Sequence, residues 1–330
     1  MSRIEVEGGG AFDCPPGETV LRSALRAGLG FPYACNVGSC GNCRFELREG
    51  SVTQKRQAPP AWSDRDRRKS RWLGCQAEPA GDCRIRVRLD PKAAPALRPE
   101  QRAARLTEII SLTHDMSEFA FSLQGPDAFL PGQYALLDVG LEFARPYSMC
   151  NLPGSGEWRF QVKRVPEGAA TTALFEATRP GALVSLDGPY GHGYLREDAP
   201  RDLVLVAGGS GLAPMVSIAR AASASPVLGA RRIDFFYGAR TQSDICGESF
   251  LRSLPGFGER VRYLAAVSQP SGDWTGEAGF VHEAVRRALG EGLREREIYF
   301  AGPPAMAAAM HAMLQDVGVA SAQVHYDEFY

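Results

Sequence analysis

The sequence has no long run of apolar residues. Its longest apolar segments, such as residues 203–207, are far shorter than the roughly 18 residues that a membrane-spanning helix needs. The N-terminal segment MSRIEVEGGG also lacks the apolar core of a secretory signal. These absences predict a cytoplasmic protein that does not bind membranes. A content of 44% hydrophobic and 23% charged residues in 330 predicts a folded chain.

An excess of charge of one sign is absent as well. The 37 basic and 38 acidic residues leave a net charge of −1, which argues against a nucleic-acid partner because such proteins usually carry a strong positive field. The balance is uneven along the chain. Residues 1–90 hold 15 basic and 11 acidic residues, whereas residues 91–330 hold 22 and 27. This asymmetry predicts that the two parts face different partners.

Four stretches of different pattern divide the chain. Residues 1–90 combine short alternating strands with one helix and predict a small α+β, β-grasp-like domain. Residues 91–101 contain three prolines without periodicity and predict a linker. Residues 102–197 hold short strands between glycines and prolines, which is typical of an antiparallel β-barrel. Residues 198–330 alternate apolar strands with helices and predict a doubly wound parallel α/β sheet.

Cysteine is too sparse, at eight residues, for a disulfide scaffold, but four cysteines have an informative spacing. A Cys-x4-Cys-x2-Cys loop and one distant cysteine are the ligand pattern of a plant-type [2Fe-2S] cluster. The ligands are Cys35, Cys40, Cys43 and Cys75. Gly38 and Gly41 allow the loop to turn its N–H groups toward sulfur. A structural zinc site is the alternative, although zinc ribbons usually pair two Cys-x2-Cys knuckles.

A family resemblance rests on this same region. The stretch FPYACNVGSCGNCRFELREGSV, followed by RWLGCQ, resembles the N-terminal plant-type ferredoxin domain of NADH-dependent reductases that serve bacterial multicomponent aromatic-ring oxygenases. These include the reductases of Rieske dioxygenases and toluene monooxygenases, and their three-part order covers nearly the whole chain. The resemblance implies FAD, NADH and a [2Fe-2S] cluster as cofactors. It also implies a terminal oxygenase or a small ferredoxin as the electron acceptor.

Two segments of the predicted barrel resemble the flavin-binding segments of the ferredoxin-NADP reductase superfamily. The first is Arg145-Pro-Tyr147-Ser148. The resemblance assigns Arg145 to the FAD diphosphate, the Tyr147 ring to the isoalloxazine, and Ser148 to a catalytic position near its N5. In the second segment, backbone groups meet the flavin and a helix N-terminus meets the phosphates. Its predicted contacts are Val162, Lys163, Val165, Gly168, Thr171 and Thr172.

A glycine-rich turn follows the apolar strand LVLVA and opens a helix, where bare N–H groups suit a pyrophosphate. It resembles the nicotinamide-nucleotide loop of the same superfamily, and AGPPAM resembles that superfamily's second nucleotide segment. The predicted contacts are Gly208, Gly209, Ser210, Gly211, Pro214, Gly302, Pro303, Pro304 and Met306. Farther along, Arg240 favours a 2′-phosphate and Asp244 opposes one. The resemblance itself favours NADH over NADPH.

The C-terminal HYDEFY resembles the superfamily terminus, in which an aromatic ring covers the flavin and a nearby acid assists. The resemblance makes Phe329 the candidate ring and Glu328 the candidate catalytic acid. A loose hydrophobic tail is the competing interpretation.

A basic segment precedes the fourth cluster ligand. Residues 55–72, KRQAPPAWSDRDRRKSRW, hold seven basic and two acidic residues. A solvated basic loop is the ordinary interpretation, and a docking site for an acidic acceptor protein is the alternative.

These parts together predict an electron-transfer oxidoreductase. A nicotinamide gives up two electrons as a hydride and a [2Fe-2S] cluster accepts one, so a flavin must stand between them. The predicted path runs from NADH through FAD and the cluster to a Rieske or diiron oxygenase, directly or through a small ferredoxin. A reductase for a deoxysugar dehydratase and a zinc-stabilised, non-enzymatic nucleotide-binding module are the alternatives.

Overall fold

The computed structural model describes residues 1–141, 143–199 and 201–329. Three main sheets of different kinds follow one another along the chain, and together they confirm the predicted fold class. Within these ranges, no helix has the length and apolar character needed to cross a bilayer.

The first unit is a five-stranded mixed sheet with the order β2-β1-β7-β3-β5, and a two-stranded β4-β6 ribbon lies beside it. Its strands are β1 Ser2–Val6, β2 Gly10–Cys14, β3 Arg44–Glu49, β4 Val52–Gln54, β5 Arg71–Leu73, β6 Ala77–Pro79 and β7 Cys83–Arg86. Its helices are α1 Val20–Arg26 and α2 Asp64–Arg68. Strand β7 ends at Arg86, and the chain then leaves the sheet as the Asp90 amide donates to the Gly30 carbonyl (2.8 Å).

The second unit is a six-stranded antiparallel sheet with the order β11-β10-β13-β8-β9-β12. Its strands are β8 Glu100–Ser111, β9 Met116–Leu123, β10 Tyr134–Asp138, β11 Arg145–Ser148, β12 Glu157–Lys163 and β13 Leu183–Tyr190. A bridge between Met149 and Phe160 joins the two edge strands and curls the sheet toward a closed barrel. The short helix α3, Ala169–Thr172, follows β12. The barrel interior is filled by large buried side chains, including Phe119, Phe121 and Trp158.

The third unit is a parallel sheet with the order β17-β16-β15-β14-β18-β19. Its strands are β14 Asp202–Gly208, β15 Ile233–Ala239, β16 Val261–Val267, β17 Glu277–Ala278, β18 Arg296–Gly302 and β19 Val324–Glu328. Its helices are α4 Leu212–Ala224, α5 Glu248–Arg252, α6 Val281–Leu289 and α7 Pro304–Val317. Separate apolar cores cover the two faces, with α4 on one face and α6 and α7 on the other. The carboxyl ends of the strands therefore meet at one edge, where such sheets bind ligands.

An aromatic interface joins the first unit to the barrel. Tyr134 donates its hydroxyl hydrogen to the Ala34 carbonyl (2.5 Å), and the Tyr33 hydroxyl accepts from the Gly191 amide (3.0 Å). Tyr190 packs edge-on against Tyr33, with ring centroids 6.2 Å apart. These contacts lie beside the cysteine loop, so they hold it in a defined position against the barrel.

Arg26 forms an ionic link across the same interface. Its guanidinium binds both carboxylate oxygens of Asp187 (3.0 and 2.9 Å) and also contacts Glu18 (2.8 Å). Burial opposes the charge on Arg26, but the interactions with these carboxylates outweigh it and raise the pKa of the guanidinium. The link spans 161 positions of sequence and attaches α1 to β13.

Replacing Arg26 by alanine is expected to loosen this interface. Asp187 and Glu18 would lose their partner while partly buried, and we expect a loss of about 2 kcal/mol in the free energy of unfolding. Thermal unfolding, followed through the visible absorption of the [2Fe-2S] unit, measures this loss of stability. The matched control is Arg3→Ala, which removes a half-exposed pair with Asp13 and should cost less than about 1 kcal/mol. Equal losses in both variants would contradict the assignment.

Candidate functional site

A large cleft lies where the three units meet. Its volume is about 1010 Å³, and residues of the cysteine loop, the barrel, the parallel sheet and the C-terminal strand all line it. The cysteine loop contributes Cys35 and Cys40 directly to its wall. The predicted iron–sulfur, flavin and nucleotide sites therefore share one space.

The cysteine loop owes its shape to residues with positive φ. Gly38 and Gly41 have φ of 83° and 79°, a region that favours glycine. The turns direct the amides of Ser39 and Cys40 at the Cys35 sulfur (3.4 and 3.3 Å) and the Asn42 amide at the Cys40 sulfur (3.5 Å). N–H donors around sulfur stabilise thiolate ligands, as the sequence predicts for this loop.

The four predicted ligands lie in two pairs. Cys43 and Cys75 lie in the core of the first unit with their sulfurs 3.4 Å apart, and Cys35 and Cys40 occupy the cleft side. A hydrogen bond with Cys35 and further bonds from backbone amides lower the pKa of Cys40 to about 5, against the opposing effect of burial. Four cysteine sulfurs, two of which accept from backbone N–H groups, fit a [2Fe-2S] cluster.

The Arg145–Ser148 segment forms β11 and borders the cleft. Pairing with β10 places Ser148 opposite Tyr134 and Arg145 opposite Leu137. Arg145, Tyr147 and Ser148 all line the cleft, with Ser148 buried at its floor and Tyr147 against the barrel core. Burial raises the pKa of the Tyr147 phenol to about 12, so its ring presents a neutral surface.

The second flavin segment is divided between the cleft and the barrel. Lys163, Val165, Gly168 and Thr171 line the cleft. The side chain of Val162 points into the barrel core, because side chains alternate along β12. Thr172 lies on α3 behind the lining residues. Direct contact of Val162 or Thr172 with a flavin stays a prediction.

Two buried polar atoms at the cleft lack a partner among the described residues. They are Gln161 Oε1 and His192 Nε2, and both residues line the cleft. Buried polar atoms usually have a hydrogen-bonding partner, so these two mark places where a polar ligand belongs. Together with the Arg145–Ser148 strand and the α3 N-terminus, they fit the polar edge and phosphates of FAD.

The nucleotide turn lies at the carboxyl end of β14. Gly208, Gly209 and Ser210 line the cleft, as do Arg240 after β15 and Pro303 after β18. The other predicted residues support this wall from behind. Gly211 packs so tightly that a Cβ there would lie 2.0 Å from the Ala301 carbonyl oxygen, and Met306 packs under Gly208. The remaining predicted residues, Pro214, Gly302 and Pro304, are placed on α4, at the end of β18 and at the start of α7.

The C-terminal segment is an ordered edge strand rather than a loose tail. Strand β19 pairs in parallel with β18, and the Phe329 amide donates to the Gly302 carbonyl (3.0 Å). Glu328 and Phe329 both line the cleft, as the prediction requires. The parallel sheet therefore delivers the chain end into the space shared with the barrel.

Asp327 is an acid at the cleft to which the sequence pattern assigned no role. Burial raises the pKa of its carboxyl to about 7. Its carboxylate lies over Gly193 and adds to the effect of burial in raising the pKa of Tyr33 and of Tyr134. Alternation along β19 places Asp327 on the same face as the polar His325, so the strand pattern carries no signal of a buried acid at this position.

Replacing Asp327 by asparagine tests this burial. Between pH 5 and pH 8 the Asp327 carboxyl of the folded wild type ionises, although burial disfavours its charged form. In the unfolded chain the same carboxyl is already ionised over this range. The wild type therefore loses stability relative to the variant as the pH rises, by up to about 3 kcal/mol. Thermal unfolding at both pH values measures it. The exposed Asp273→Asn is the control, and a similar pH-dependent gain in both variants would contradict the assignment.

Lys163 links the barrel to the parallel sheet. Its ammonium lies 2.7 Å from Asp115 and 3.2 Å from Asp244, and its stem lies 3.6 Å from the position of a Cβ on Gly209. Burial opposes ionisation of Asp244, but hydrogen bonds from Thr241 and Lys163 outweigh it and lower the pKa of that carboxyl. Asp244 is thus held as a carboxylate paired with Lys163. It is buried behind the cleft wall, whereas Arg240 lines the cleft.

Fold and site define a reductase built from an iron–sulfur, a flavin and a nicotinamide-nucleotide unit. The chain matches the family described as 2Fe-2S iron-sulfur cluster binding domain over residues 4–80. It also matches the oxidoreductase FAD-binding domain over residues 103–194 and the oxidoreductase NAD-binding domain over residues 205–312. The four cysteines lie inside the matched 2Fe-2S domain, which favours the cluster over the zinc alternative. Their role as the ligands of the cluster stays a prediction.

Similar proteins cover the whole chain. It is 37% identical to the ferredoxin–NAD(P)⁺ reductase CarAd of Metapseudomonas resinovorans over all of both chains. It is also 37% identical to the ferredoxin–NAD⁺ reductase component of the alkene monooxygenase system of Xanthobacter autotrophicus, over 99% of this chain and 100% of that one. A solved ferredoxin reductase in carbazole 1,9a-dioxygenase superposes with a TM-score of 0.93 at 34% identity, covering 100% of this chain and 98% of that one. The chain belongs to the family of ferredoxin–NAD(P)⁺ reductases and is a flavin- and iron–sulfur-dependent oxidoreductase.

Proposed function

We propose that the protein takes electrons from NADH and delivers them, through FAD and its [2Fe-2S] cluster, to the oxygenase or the small ferredoxin of an aromatic-ring oxygenase system. The observation that carries this proposal is the shared cleft. Cys35 and Cys40 of the cluster loop line the same space as Ser148 of the flavin strand and Gly209 of the nucleotide turn. Electron transfer between the sites then needs no large movement of the chain.

The residues of the barrel orient and shield the flavin in this proposal. Arg145 binds the diphosphate, Tyr147 covers the ring, and Ser148 lies beside the reacting edge, supported by the unpartnered Gln161 amide oxygen and His192 imidazole nitrogen. Phe329, held by its amide bond to Gly302, closes the opposite side of the cleft. Bound FAD supplies the exchange between two-electron and one-electron chemistry.

The residues of the parallel sheet bind the dinucleotide. Gly208 and Gly209 leave the backbone of the turn open to a pyrophosphate at the start of α4. A carboxylate after the second strand of such a sheet accepts from the ribose 2′-hydroxyl and repels a 2′-phosphate. Asp244, held ionised by Lys163 and Thr241, has this role in our proposal, which supports NADH over NADPH.

The acceptor that we propose is an oxygenase or a small ferredoxin of such a system. One relative is named for an alkene monooxygenase system and a solved neighbour for carbazole 1,9a-dioxygenase, so the family serves more than one kind of oxygenase. We propose a cytoplasmic location, where NADH is available and thiol ligands stay reduced. We also propose the division of the chain into residues 1–90, a linker at 91–101, and units at 102–197 and 198–330.

Steady-state reduction of an added [2Fe-2S] ferredoxin with each dinucleotide tests donor and acceptor together. We expect kcat/KM for NADH to exceed that for NADPH by more than about tenfold, since a buried like-charge contact costs more than about 1.4 kcal/mol. Asp244→Asn is expected to narrow this ratio. Equal efficiency with both dinucleotides would contradict the role of Asp244, and no transfer to any iron–sulfur protein would contradict the proposed function.

A further inference from the structure

Three exposed cations form a basic surface on the first unit. They are Arg65, Arg68 and Lys69, on α2 and at its C-terminal end. No carboxylate of the described residues forms an ion pair with any of them. The neighbouring Arg67 differs, because it pairs with Asp64 and lies over the Trp62 ring. The basic surface thus presents three unneutralised charges to solvent.

The segment that carries this basic surface is held rigidly. Ser63 and Asp66 form reciprocal side-chain to backbone hydrogen bonds that cap α2. The Trp62 indole donates to the Arg71 carbonyl (2.8 Å) and packs on Trp72, with ring centroids 5.0 Å apart. A five-residue helix would not keep its shape alone, so these contacts give the three cations a defined arrangement.

The same segment contacts the cluster loop directly. The Ala61 amide donates to the Gly38 carbonyl (3.1 Å). Arg44 then connects loop and helix, because its guanidinium donates to the carbonyls of Gly41 (2.9 Å) and Ala61 (2.6 Å) and lies 3.3 Å from the Asp66 carboxylate. The basic surface therefore lies beside the loop that holds Cys35, Cys40 and Cys43.

The charge and the position of the basic surface both suit the binding of an acidic protein. Asp66 is buried and neutralised by Arg44, so it does not offset the exposed cations. None of the residues 59–72 lines the cleft among the described residues, so a protein bound here would not block the dinucleotide. The first 90 residues carry the net positive charge of a chain that is otherwise acidic.

We propose that the basic surface of Arg65, Arg68 and Lys69 docks an acidic face of the protein that accepts electrons from the cluster. This inference rests on the proposed function and names the chemistry of its partner. Complementary charge steers two proteins into contact and raises their association rate by about 10- to 1000-fold at low ionic strength. The docked partner would lie over the cluster loop, on a surface separate from the dinucleotide cleft.

The test measures reoxidation of the NADH-reduced holoprotein by two protein probes in stopped flow. The probes are an acidic plant-type [2Fe-2S] ferredoxin and the basic protein cytochrome c. For Arg65→Glu/Arg68→Glu/Lys69→Glu, we expect the second-order rate constant with ferredoxin to fall at least about tenfold at low salt. The rate constant with cytochrome c should rise. Both differences should shrink as ionic strength increases, because salt screens exposed charges.

A matched variant carries the same charge change elsewhere. Arg231, Arg232 and Arg262 are exposed near the amino ends of β15 and β16, at the edge of the parallel sheet opposite the site. Their reversal to glutamate should leave the ratio of the two rate constants within about twofold. The milder Arg65→Gln/Arg68→Gln/Lys69→Gln, which places no anion on α2, should shift the ratio in the same direction by a smaller factor.

The outcomes separate the two proposals. If the α2 variant and its matched variant change the ferredoxin rate equally, or if both probes respond to α2 reversal in the same direction, the docking surface is wrong. Reduction of flavin and cluster by NADH, recorded before any probe is added, should be unchanged in every variant. If the unaltered protein fails to reduce its cluster, the proposed function fails, whatever the salt dependence.

Discussion

Replacing Cys43 by alanine is expected to abolish electron delivery to an iron–sulfur acceptor while NADH still reduces the flavin. Cys43 is buried in the core of the first unit with its sulfur 3.4 Å from that of Cys75, so the variant removes one predicted ligand from an enclosed position. Loss of groups that merely support metal ligands costs about 10- to 100-fold, and loss of a ligand should cost more than about 100-fold. Acceptor reduction and flavin bleaching, measured on the same preparation, separate the two steps.

The matched control for this variant is Cys83→Ser. Cys83 is buried in the same unit, but its thiol lies 3.3 Å from the Ser51 and Gly81 carbonyls, which a serine hydroxyl can also bind. It should keep the visible absorption of the cluster and most of the acceptor activity. Loss of the cluster in both variants would mean that the unit fails to fold with either change. Retention of the cluster in Cys43→Ala would remove Cys43 from the ligand set.

Replacing Gly211 by alanine is expected to damage the nucleotide site severely. A Cβ at this position would lie 2.0 Å from the Ala301 oxygen and 3.0 Å from the Gly302 nitrogen, both backbone atoms that cannot rotate away. The start of α4 and the end of β18 must then separate, and both border the dinucleotide cleft. Overpacking of this kind costs about 2 kcal/mol in the free energy of unfolding. Because it also displaces the nucleotide turn, we expect kcat/KM for NADH to fall about 10- to 100-fold.

Gly292→Ala provides the control for this steric argument. Gly292 also lies in the parallel-sheet unit, but no atom lies within 4 Å of the position of its Cβ. We expect its kinetics with NADH to match the unaltered protein within about twofold. Flavin content should be normal in both variants, because neither residue lines the barrel side of the cleft. Normal kinetics in Gly211→Ala would contradict the close packing of the two nucleotide segments.

Local patterns in the sequence were sufficient to predict each unit of the fold. The Cys-x4-Cys-x2-Cys loop and the strand LVLVA before its glycine turn each depend on neighbouring residues. Such patterns follow from backbone geometry, since a strand alternates its side chains and a phosphate-binding turn needs glycine. The structure places these segments as strands and turns of the predicted kind.

The contacts between units could not be predicted from local sequence patterns. Tyr33 and Gly191 are 158 positions apart, and Arg26 and Asp187 are 161 apart, yet each pair forms a hydrogen bond. No periodicity connects such pairs, because they meet only after three separate sheets have packed together. The raised pKa of Asp327 has the same origin, since its burial depends on how β19 enters the cleft against the barrel.

Strand register determines which residues of the predicted flavin and nucleotide segments face the cleft. Lys163 and Val165 line the cleft, whereas the side chain of Val162, on the other face of the segment, packs in the barrel core. Likewise Gly209 borders the cleft and Gly211, two residues later, packs against Ala301. A sequence motif identifies the segment that forms a site. The pairing of strands determines which residues of that segment face the ligand.

The relay itself is tested most directly by an anaerobic titration of the purified holoprotein with NADH, followed by visible absorption and electron paramagnetic resonance. Because Cys35 and Cys40 share a cleft with Ser148 and Gly209, we predict that NADH bleaches the flavin bands and reduces the cluster in the same titration. Bleaching of the flavin with an intact, persistently oxidised cluster would contradict the account.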